Sequence, residues 1–249
     1  MMKKTKITLF VQLAFALLLI CQGCDKMEDS YKQYLEGGEL IYPGKADSLK
    51  AFPGKNRVKL RWLIVSDPKV VGAKVYWNNK SDSVNVPIRK TSSTDTISVI
   101  IPGMEEGLYT FDVYTYDAAG HRSVGSQVIG EAYGASFQNT LANRLVKSVQ
   151  WLNLAQTGTT PAFRGGEITW YSASVLAVFI DIGYTREDGS AASVREEPVR
   201  VPGRPVSFRE TTRLPGWNKD LSFRYRTAFK PDSAAIDTFY TDYTVYNPH

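Results

Sequence analysis

The feature that most constrains the fold is a two-residue alternation of apolar and polar side chains, which returns along the chain in short runs. Val58, Leu60 and Trp62 alternate with basic residues, and the segment 223–229 repeats the pattern near the other end. A period of two is that of a strand with one buried face. Turn-forming pairs, among them Asp188-Gly189, separate the runs. The pattern therefore predicts an all-β chain of short strands.

The strand pattern divides the chain into two domains joined by a short segment of small residues. Strands with regular turn signals fill residues 37–131, and a more loosely spaced set fills residues 136–249. Each segment is about 100 residues long, which is the commonest domain size. No cysteine follows residue 24, so each domain must be stabilised by burial of its core rather than by disulfides. We therefore predict two consecutive β-sandwich domains.

The first domain carries motifs of a known family. They are the Val-x-Leu-x-Trp strand at 58–62, the Pro-Gly-Met-x-x-Gly turn at 102–107, the Tyr-x-Phe-x-Val strand at 109–113 and the Asp-x-x-Gly-x-x-Ser hairpin at 117–123. Together they resemble a fibronectin type III domain, which implies an immunoglobulin-like sandwich. The resemblance also places Tyr109 in the tyrosine corner, where the hydroxyl bonds back to the backbone.

The N-terminal segment is typical of a bacterial lipoprotein signal. Three lysines precede an apolar run of 14 residues, Ile7 to Ile20, and Gly23 precedes Cys24. A transmembrane helix is the competing interpretation, but a span needs about 20 apolar residues. We predict removal of residues 1–23, lipidation of Cys24, and a flexible tether over residues 24–36. Two or more acyl chains would then anchor the protein stably in a membrane.

Charge near and beyond the predicted lipidation site bears on location and partners. Asp25, Glu28 and Asp29 follow Cys24, a pattern typical of surface export in some bacteria, of inner-membrane retention in others, and of any solvated tether. Without the three signal lysines, 27 basic residues face 25 acidic ones. This balance gives no reason to expect a nucleic-acid partner.

Taken as a whole, the chain resembles an uncharacterised family of Bacteroidota lipoproteins that is defined only as a domain of unknown function. The resemblance rests on four segments, 34–44, 141–144, 184–189 and 236–241. It implies an outer-membrane lipoprotein facing the cell exterior, often encoded beside polysaccharide-utilisation machinery. It implies a polysaccharide or outer-membrane proteins as partners, and no reaction.

Catalytic chemistry has little support in the sequence. The two histidines, His121 and His249, have no partner at metal-ligand spacing. Asp117, His121 and Ser123 lie on one predicted turn, where Asp and Ser more often stabilise the turn itself. We therefore predict no catalytic residue, no metal site and no cofactor.

Paired carboxylates are the one enzymatic alternative that stays open, because glycoside hydrolysis uses two of them. Glu187-Asp188 and Glu196-Glu197 flank a predicted hairpin and read as solvated charges. Asp181 interrupts an apolar run, and we expect it to pair with Arg224 or Arg226 from a neighbouring strand.

Aromatic residues carry the strongest functional signal, because sugar rings stack on exposed aromatic planes. Tyr76, Tyr114 and Tyr116 fall on the polar faces of two neighbouring predicted strands, where they would form one outer patch. Cross-strand aromatic pairing is the alternative role for all three. Trp217 lies in a Pro-Gly loop, either as a ligand contact or as a lid over the core. We expect the other tryptophans of the body to be core residues: Trp62, Trp77, Trp151 and Trp170.

These observations favour a non-catalytic surface lipoprotein that binds or presents an extracellular polymer, most simply a glycan, through Tyr76, Tyr114, Tyr116 and Trp217. A structural or protein-interaction subunit of an outer-membrane complex is the alternative. A small carboxylate-type glycoside hydrolase is the third hypothesis.

Overall fold

The computed structural model describes residues 42–65, 67–200, 202–203 and 206–248. The predicted signal peptide, the lipidation site Cys24 and the tether lie outside the described residues. Residues Pro43–His249 belong to one compact unit. No helix in the described part of the chain is long and apolar enough to cross a membrane.

The first half of this unit is a single hydrogen-bonded sheet of seven strands. Their bounds are β1 (Asp47–Lys55), β2 (Arg57–Val65), β3 (Val70–Trp77), β4 (Asp82–Pro87), β5 (Thr94–Pro102), β6 (Gly107–Asp117) and β7 (Ser126–Tyr133). The hydrogen-bonded order is β4-β3-β6-β7-β1-β2-β5. All neighbours are antiparallel except β1 and β7, which are joined by a short parallel ladder at Gly54 and Lys55.

This sheet folds over at the β1–β7 ladder, so that the strands β4-β3-β6-β7 pack against the strands β1-β2-β5 as a sandwich. Trp62 on β2, Val75 on β3 and Phe111 on β6 are fully buried and belong to one core cluster, although β2 and β3 are far apart in the strand order. The apolar positions predicted on β2 all face this core, since Val58 and Leu60 are also fully buried. Tyr109 forms the predicted tyrosine corner, because its hydroxyl donates to the Glu105 carbonyl at 3.0 Å.

The second half contains one short helix and eight strands. Their bounds are α1 (Ala135–Asn139), β8 (Val146–Leu154), β9 (Phe163–Trp170), β10 (Ala177–Thr185), β11 (Ala191–Glu196), β12 (Thr211–Pro215), β13 (Phe223–Phe229), β14 (Phe239–Tyr240) and β15 (Thr244–Tyr246). One sheet has the order β12-β9-β8, and the other has the order β11-β10-β13-β14 with β15 also on β13. Ile168 on β9 and Ile182 on β10 share one core cluster, so the two sheets pack face to face.

The two sandwiches have the same topology. In chain order, β8 to β13 correspond to β1 to β6, and the final strand β7 corresponds to the two short pieces β14 and β15. The expectation of an all-β chain with two consecutive sandwiches, the first fibronectin type III-like, is confirmed. The repetition of that strand order in the second sandwich was not visible in the sequence.

A polar contact ties the two sandwiches together. Asp237, just before β14, accepts hydrogen bonds from Arg57 Nε at 2.8 Å and from the Lys55 amide at 2.8 Å. The neighbouring Ile236 amide donates to the Pro53 carbonyl at 2.8 Å. The Arg57 guanidinium holds the pKa of Asp237 below its usual range. The second sandwich is therefore fixed to the β1–β2 turn of the first.

An aromatic cluster lies beside this contact. Tyr133 at the end of β7, Phe137 on α1 and Phe239 on β14 pack in edge-to-face pairs with centroids 4.9 to 6.3 Å apart. Glu106 accepts hydrogen bonds from the Ser136 and Phe137 amides, each at 2.7 Å. Edge-to-face aromatic pairs stabilise by about 0.5–1.5 kcal/mol beyond their burial. We call this cluster together with the Asp237 contact the joint.

Candidate functional site

The structure places Tyr76, Tyr114 and Tyr116 on one outer face, formed by β3, β4 and β6. Side chains of a strand alternate between its two faces, so the tyrosines point away from the core that Val75 and Val113 fill. All three tyrosines are half-buried. We call this surface the tyrosine face.

The three rings are not a flat platform. Tyr76 and Tyr114 meet edge to face, with centroids 6.0 Å apart and planes at 81°. Tyr116 lies over Gly72 on the adjacent strand, and Tyr114 lies over Gly125, because a methyl group added at either glycine would collide with the ring. The glycines let the two rings settle onto the backbone of the sheet. The rings of Tyr114 and Tyr116 therefore offer a ligand two separate, slightly raised surfaces rather than one plane.

Basic side chains surround the rings. The Lys74 ammonium lies 5.1 Å from the Tyr76 centroid, and the Lys80 ammonium lies 5.2 Å from that of Tyr114. Lys80 also donates to the Tyr114 hydroxyl at 3.1 Å, which raises the pKa of Lys80. Within the described part of the chain, neither lysine forms a salt bridge. The face is thus aromatic and carries two lysines without a salt bridge among the described residues, although Asp112 on the same face of β6 also raises the pKa of Lys80.

A depression of about 280 Å³ lies in the tyrosine face. It is lined by Lys74, Asn85, Tyr114, Tyr116, Gly120 and Arg122. Asn85, Lys74 and Tyr114 stand side by side on three adjacent strands. An amide, two cations and two phenol rings can hydrogen-bond hydroxyl groups, pair with an acid and stack on an apolar ring face.

Trp217 is not part of this surface, and its assignment as a ligand contact is wrong. Its ring is only 2% exposed and contacts Phe223 edge to face at 5.5 Å in the second sandwich. Its Nε1 donates to the Leu221 carbonyl at 3.1 Å. The Pro-Gly turn does not hold the indole in solvent but folds it inward, over the position of Gly166. Of the two roles considered for this residue, the structure favours the core.

Three of the carboxylates singled out in the sequence are engaged by arginines, namely Asp181, Glu187 and Glu196. Glu196 is 5% exposed and pairs with Arg209, so the expectation that it is a solvated charge is wrong. Asp181 accepts from Arg195 at 2.8 and 3.2 Å, and Arg226 lies 3.7 Å away on the other neighbouring strand. The expected partner Arg226 is therefore present, and Arg195 is a second partner that the sequence did not indicate. Glu187 pairs with Arg164 at 2.9 Å.

Asp117, His121 and Ser123 stabilise a turn. The Asp117 carboxylate accepts from the His121 amide at 2.9 Å and lies 2.8 Å from the His121 Nδ1. The hydrogen bond from His121 keeps the pKa of Asp117 below its usual range. Ser123 Oγ contacts the Thr115 amide and the Val124 carbonyl instead of the imidazole. In the residues that the structure describes, no cluster of His, Cys, Asp and Glu has the composition of a metal site.

One feature of the second sandwich was missed by the sequence reasoning. Arg144 is 6% exposed and lies against a cavity of about 640 Å³. No local signal marked it, because an arginine that directly precedes the apolar Leu145 and Val146 at the start of β8 does not by itself indicate burial.

Comparisons with known proteins add a family and a fold. A family model for a domain of unknown function, DUF4998, matches residues 24–239. No curated protein matches the chain in sequence. The chain is similar to the solved FN1–FN3 domains of chicken CNTN1, with 10% identity, TM-score 0.41, and 84% of this chain and 69% of that chain covered. It is also similar to a two-domain fibronectin type III segment of chicken tenascin, with 11% identity, TM-score 0.31, and coverage of 81% and 98%.

Proposed function

The chain belongs to the DUF4998 family, a domain of unknown function, and from that premise we propose that it is a non-catalytic lipoprotein of the bacterial cell surface that binds an extracellular glycan. The binding residues in this proposal are Tyr114 and Tyr116, with Tyr76 supporting Tyr114 from the side. The membrane is its first partner, reached through the lipid on Cys24.

The depression in the tyrosine face is the observation that carries the proposal. It combines two half-exposed phenol rings with Lys74, Arg122 and the Asn85 amide. Aromatic rings that already lie flat on the sheet lose little side-chain freedom when a ligand stacks on them. The unpaired cations favour a polymer that carries acidic groups.

The engaged carboxylates support a binding role over hydrolysis. A glycosidase needs one carboxyl group that is protonated and one that is free to act on the sugar. Asp181 and Glu187 are each held by an arginine, and the described residues that line the depression include no carboxylate. Binding without cleavage is therefore the expected outcome.

A glycan-panel screen tests this proposal. The full chain, purified in mild detergent, is screened on immobilised polysaccharides, and reducing ends are measured in the same mixtures. We expect retention without new reducing ends, and weakening of about tenfold in Tyr114→Ala or Tyr116→Ala, because stacking contributes about 1–3 kcal/mol per ring in comparable platforms.

Tyr243→Ala is the matched control, because this exposed tyrosine lies on the corresponding sheet of the second sandwich. An equal loss of glycan binding in Tyr243→Ala would show that the tyrosine face is not the binding site. New reducing ends would revive the hydrolase hypothesis.

The lipid anchor has its own test, since its residues lie outside the described part of the chain. In the Cys24→Ser variant, we expect the protein to leave the membrane fraction and to appear in the soluble fraction. Retention in the membrane fraction would contradict the lipoprotein assignment.

A structural subunit of an outer-membrane complex is the second candidate, and the joint favours it. Hydrogen bonds and aromatic contacts hold the two sandwiches together, as a spacer of defined geometry requires. If no glycan is retained in the screen, cross-linking of intact cells followed by recovery of defined membrane-protein partners would support this candidate.

A further inference from the structure

The Arg144 side chain is held between two loops of the second sandwich by hydrogen bonds. Its Nε donates to the Tyr171 carbonyl at 2.7 Å, and its Nη2 donates to the Arg209 carbonyl at 3.1 Å. Its backbone amide donates to Thr227 Oγ1 at 3.0 Å. The side chain therefore has one fixed position, and two of its three nitrogens are engaged.

The third nitrogen is not engaged. Nη1 is buried and has no hydrogen-bond partner among the described residues. The guanidinium carbon lies 5.5 Å from the Trp170 centroid and 5.4 Å from that of Phe208. A buried cationic donor without an acceptor is unfavourable. Burial also lowers the pKa of Arg144, although Glu196 and Glu210 act in the opposite direction. An anionic acceptor at Nη1 would relieve this cost.

The cavity beside Arg144 has the lining of a polar ligand site. Its volume of about 640 Å³ falls in the range of small-molecule sites. Lys147 supplies a second cation, Ser174 and Ser207 supply hydroxyls, and Tyr171 supplies a ring that is 53% exposed. Val175, also in the lining, is 98% exposed at the mouth. The two cations outnumber the one carboxylate among the described lining residues, Glu210, and together with the hydroxyls and the aromatic ring they match an acidic, polyhydroxylated ring.

We propose that this cavity binds a uronic acid unit, with the sugar carboxylate on the Arg144 guanidinium. Arginine is suited to this role because its planar fork matches a carboxylate. Lys147 pairs with the same or a neighbouring carboxylate, and Tyr171 stacks on the ring. Nη1 is shielded from solvent, so this contact requires the side chains over it to shift when the ligand enters. This site goes beyond the tyrosine face and does not depend on it.

Calorimetric titration of the full chain with trigalacturonate tests the proposal. The matched ligand is fully methyl-esterified trigalacturonate, which keeps the rings and removes the charge. We expect the acid to bind at least about tenfold more tightly than the ester, because hydrogen bonds to charged groups discriminate on this scale. Inorganic phosphate and sulfate are titrated in parallel.

Arg144→Lys removes the fork but also loosens two loops, so Lys147→Gln is the more useful variant. Lys147 is exposed, and Lys219→Gln is its matched control, because Lys219 is also exposed and is not among the described residues that line the cavity. We expect about three- to tenfold weaker trigalacturonate binding in Lys147→Gln and no change in Lys219→Gln.

Three results would overturn the proposal. They are equal binding of acid and ester, equal effects of the two lysine variants, and binding of phosphate or sulfate without binding of the sugar. The last result would identify a site for simple anions.

Discussion

The corresponding outer faces of the two sandwiches differ in the charge at their centre. In the first sandwich, Asn85, Lys74 and Tyr114 form a row across three strands. In the second, Arg195, Asp181 and Arg226 form the row on the three corresponding strands. The middle residue is a lysine with no salt bridge among the described residues in one face, and a carboxylate between two arginines in the other.

This difference shows that one fold can present a face with charges available to a ligand and a face with charges paired inside the protein. The arginines of the second face also lie on aromatic rings, with Arg195 3.9 Å from Phe179 and Arg226 4.2 Å from Tyr240. Their charges and rings are therefore paired within the protein, although Arg226 Nε has no hydrogen-bond partner among the described residues. The lysines of the tyrosine face keep donors available for a partner.

A second contrast concerns glycines under aromatic rings. Gly72 lies beneath Tyr116 on the outside of the first sandwich, and Gly166 lies beneath Trp217 in the core of the second. The same small residue makes room for a surface ring in one place and a core ring in the other. The surface ring can move aside, whereas the core ring cannot.

The largest expected effect comes from the core tryptophan. Trp217→Ala removes a buried ring from the second sandwich, and we expect a loss of about 3–5 kcal/mol in the free energy of unfolding. Denaturant unfolding measures it, with Tyr76→Ala as the surface control expected to cost about 1 kcal/mol or less. Similar costs for the two variants would contradict the core position of Trp217.

The glycine contrast gives the next effect. A methyl group added at Gly166 would stand 2.5 Å from the Trp217 ring, so we expect Gly166→Ala to cost about 1–3 kcal/mol through overpacking. Gly72→Ala should cost less than about 1 kcal/mol, because the end of the Tyr116 side chain can swing off the sheet. Thermal unfolding measures the loss of stability in both variants, and a larger loss in Gly72→Ala than in Gly166→Ala would contradict this explanation.

The joint gives a smaller, pH-dependent effect. We expect Asp237→Asn to cost about 1 kcal/mol at pH 7, since the Arg57 partner is partly exposed. The folded pKa of Asp237 is lowered, so its contribution is present above the unfolded pKa of about 3.9 and is lost as the pH falls through the folded pKa.

The difference in unfolding free energy between the parent protein and Asp237→Asn should therefore be full at pH 6 and shrink below about pH 4. Denaturant unfolding of both proteins across this range measures it. A difference that stays constant with pH would show that the Asp237 charge is not what joins the sandwiches.

The sequence predicted the parts of this molecule that local periodicity controls. Alternation placed Leu60 and Trp62 in the core and put Tyr114 and Tyr116 on the outside, because side-chain direction in a strand depends only on parity. Motif spacing also located the tyrosine corner at Tyr109.

Features set by non-local contacts could not be predicted in this way. Trp217 lies after a Pro-Gly turn, and whether the indole faces solvent or core depends on Gly166, which is about 50 residues earlier in the chain. The burial of Arg144 depends on carbonyls from two distant loops. Arg195 as the main partner of Asp181 follows from the register of β10 and β11, which a pattern does not fix to one residue.

The smallest expected effect tests the comparison of the two faces directly. Asp181→Asn removes the carboxylate between Arg195 and Arg226, and we expect a stability cost below about 1 kcal/mol because both arginines are partly exposed. The arginines then resemble the lysines of the tyrosine face, with donors that no carboxylate pairs. Binding of polygalacturonate should increase about two- to fivefold at low ionic strength and return to the parent value at high salt. Asp188→Asn, on an exposed turn of the same sheet, makes the same change in net charge and should not increase binding. An equal increase in both variants would mean that the net charge of the protein, rather than the carboxylate at the centre of the face, controls the binding of polygalacturonate.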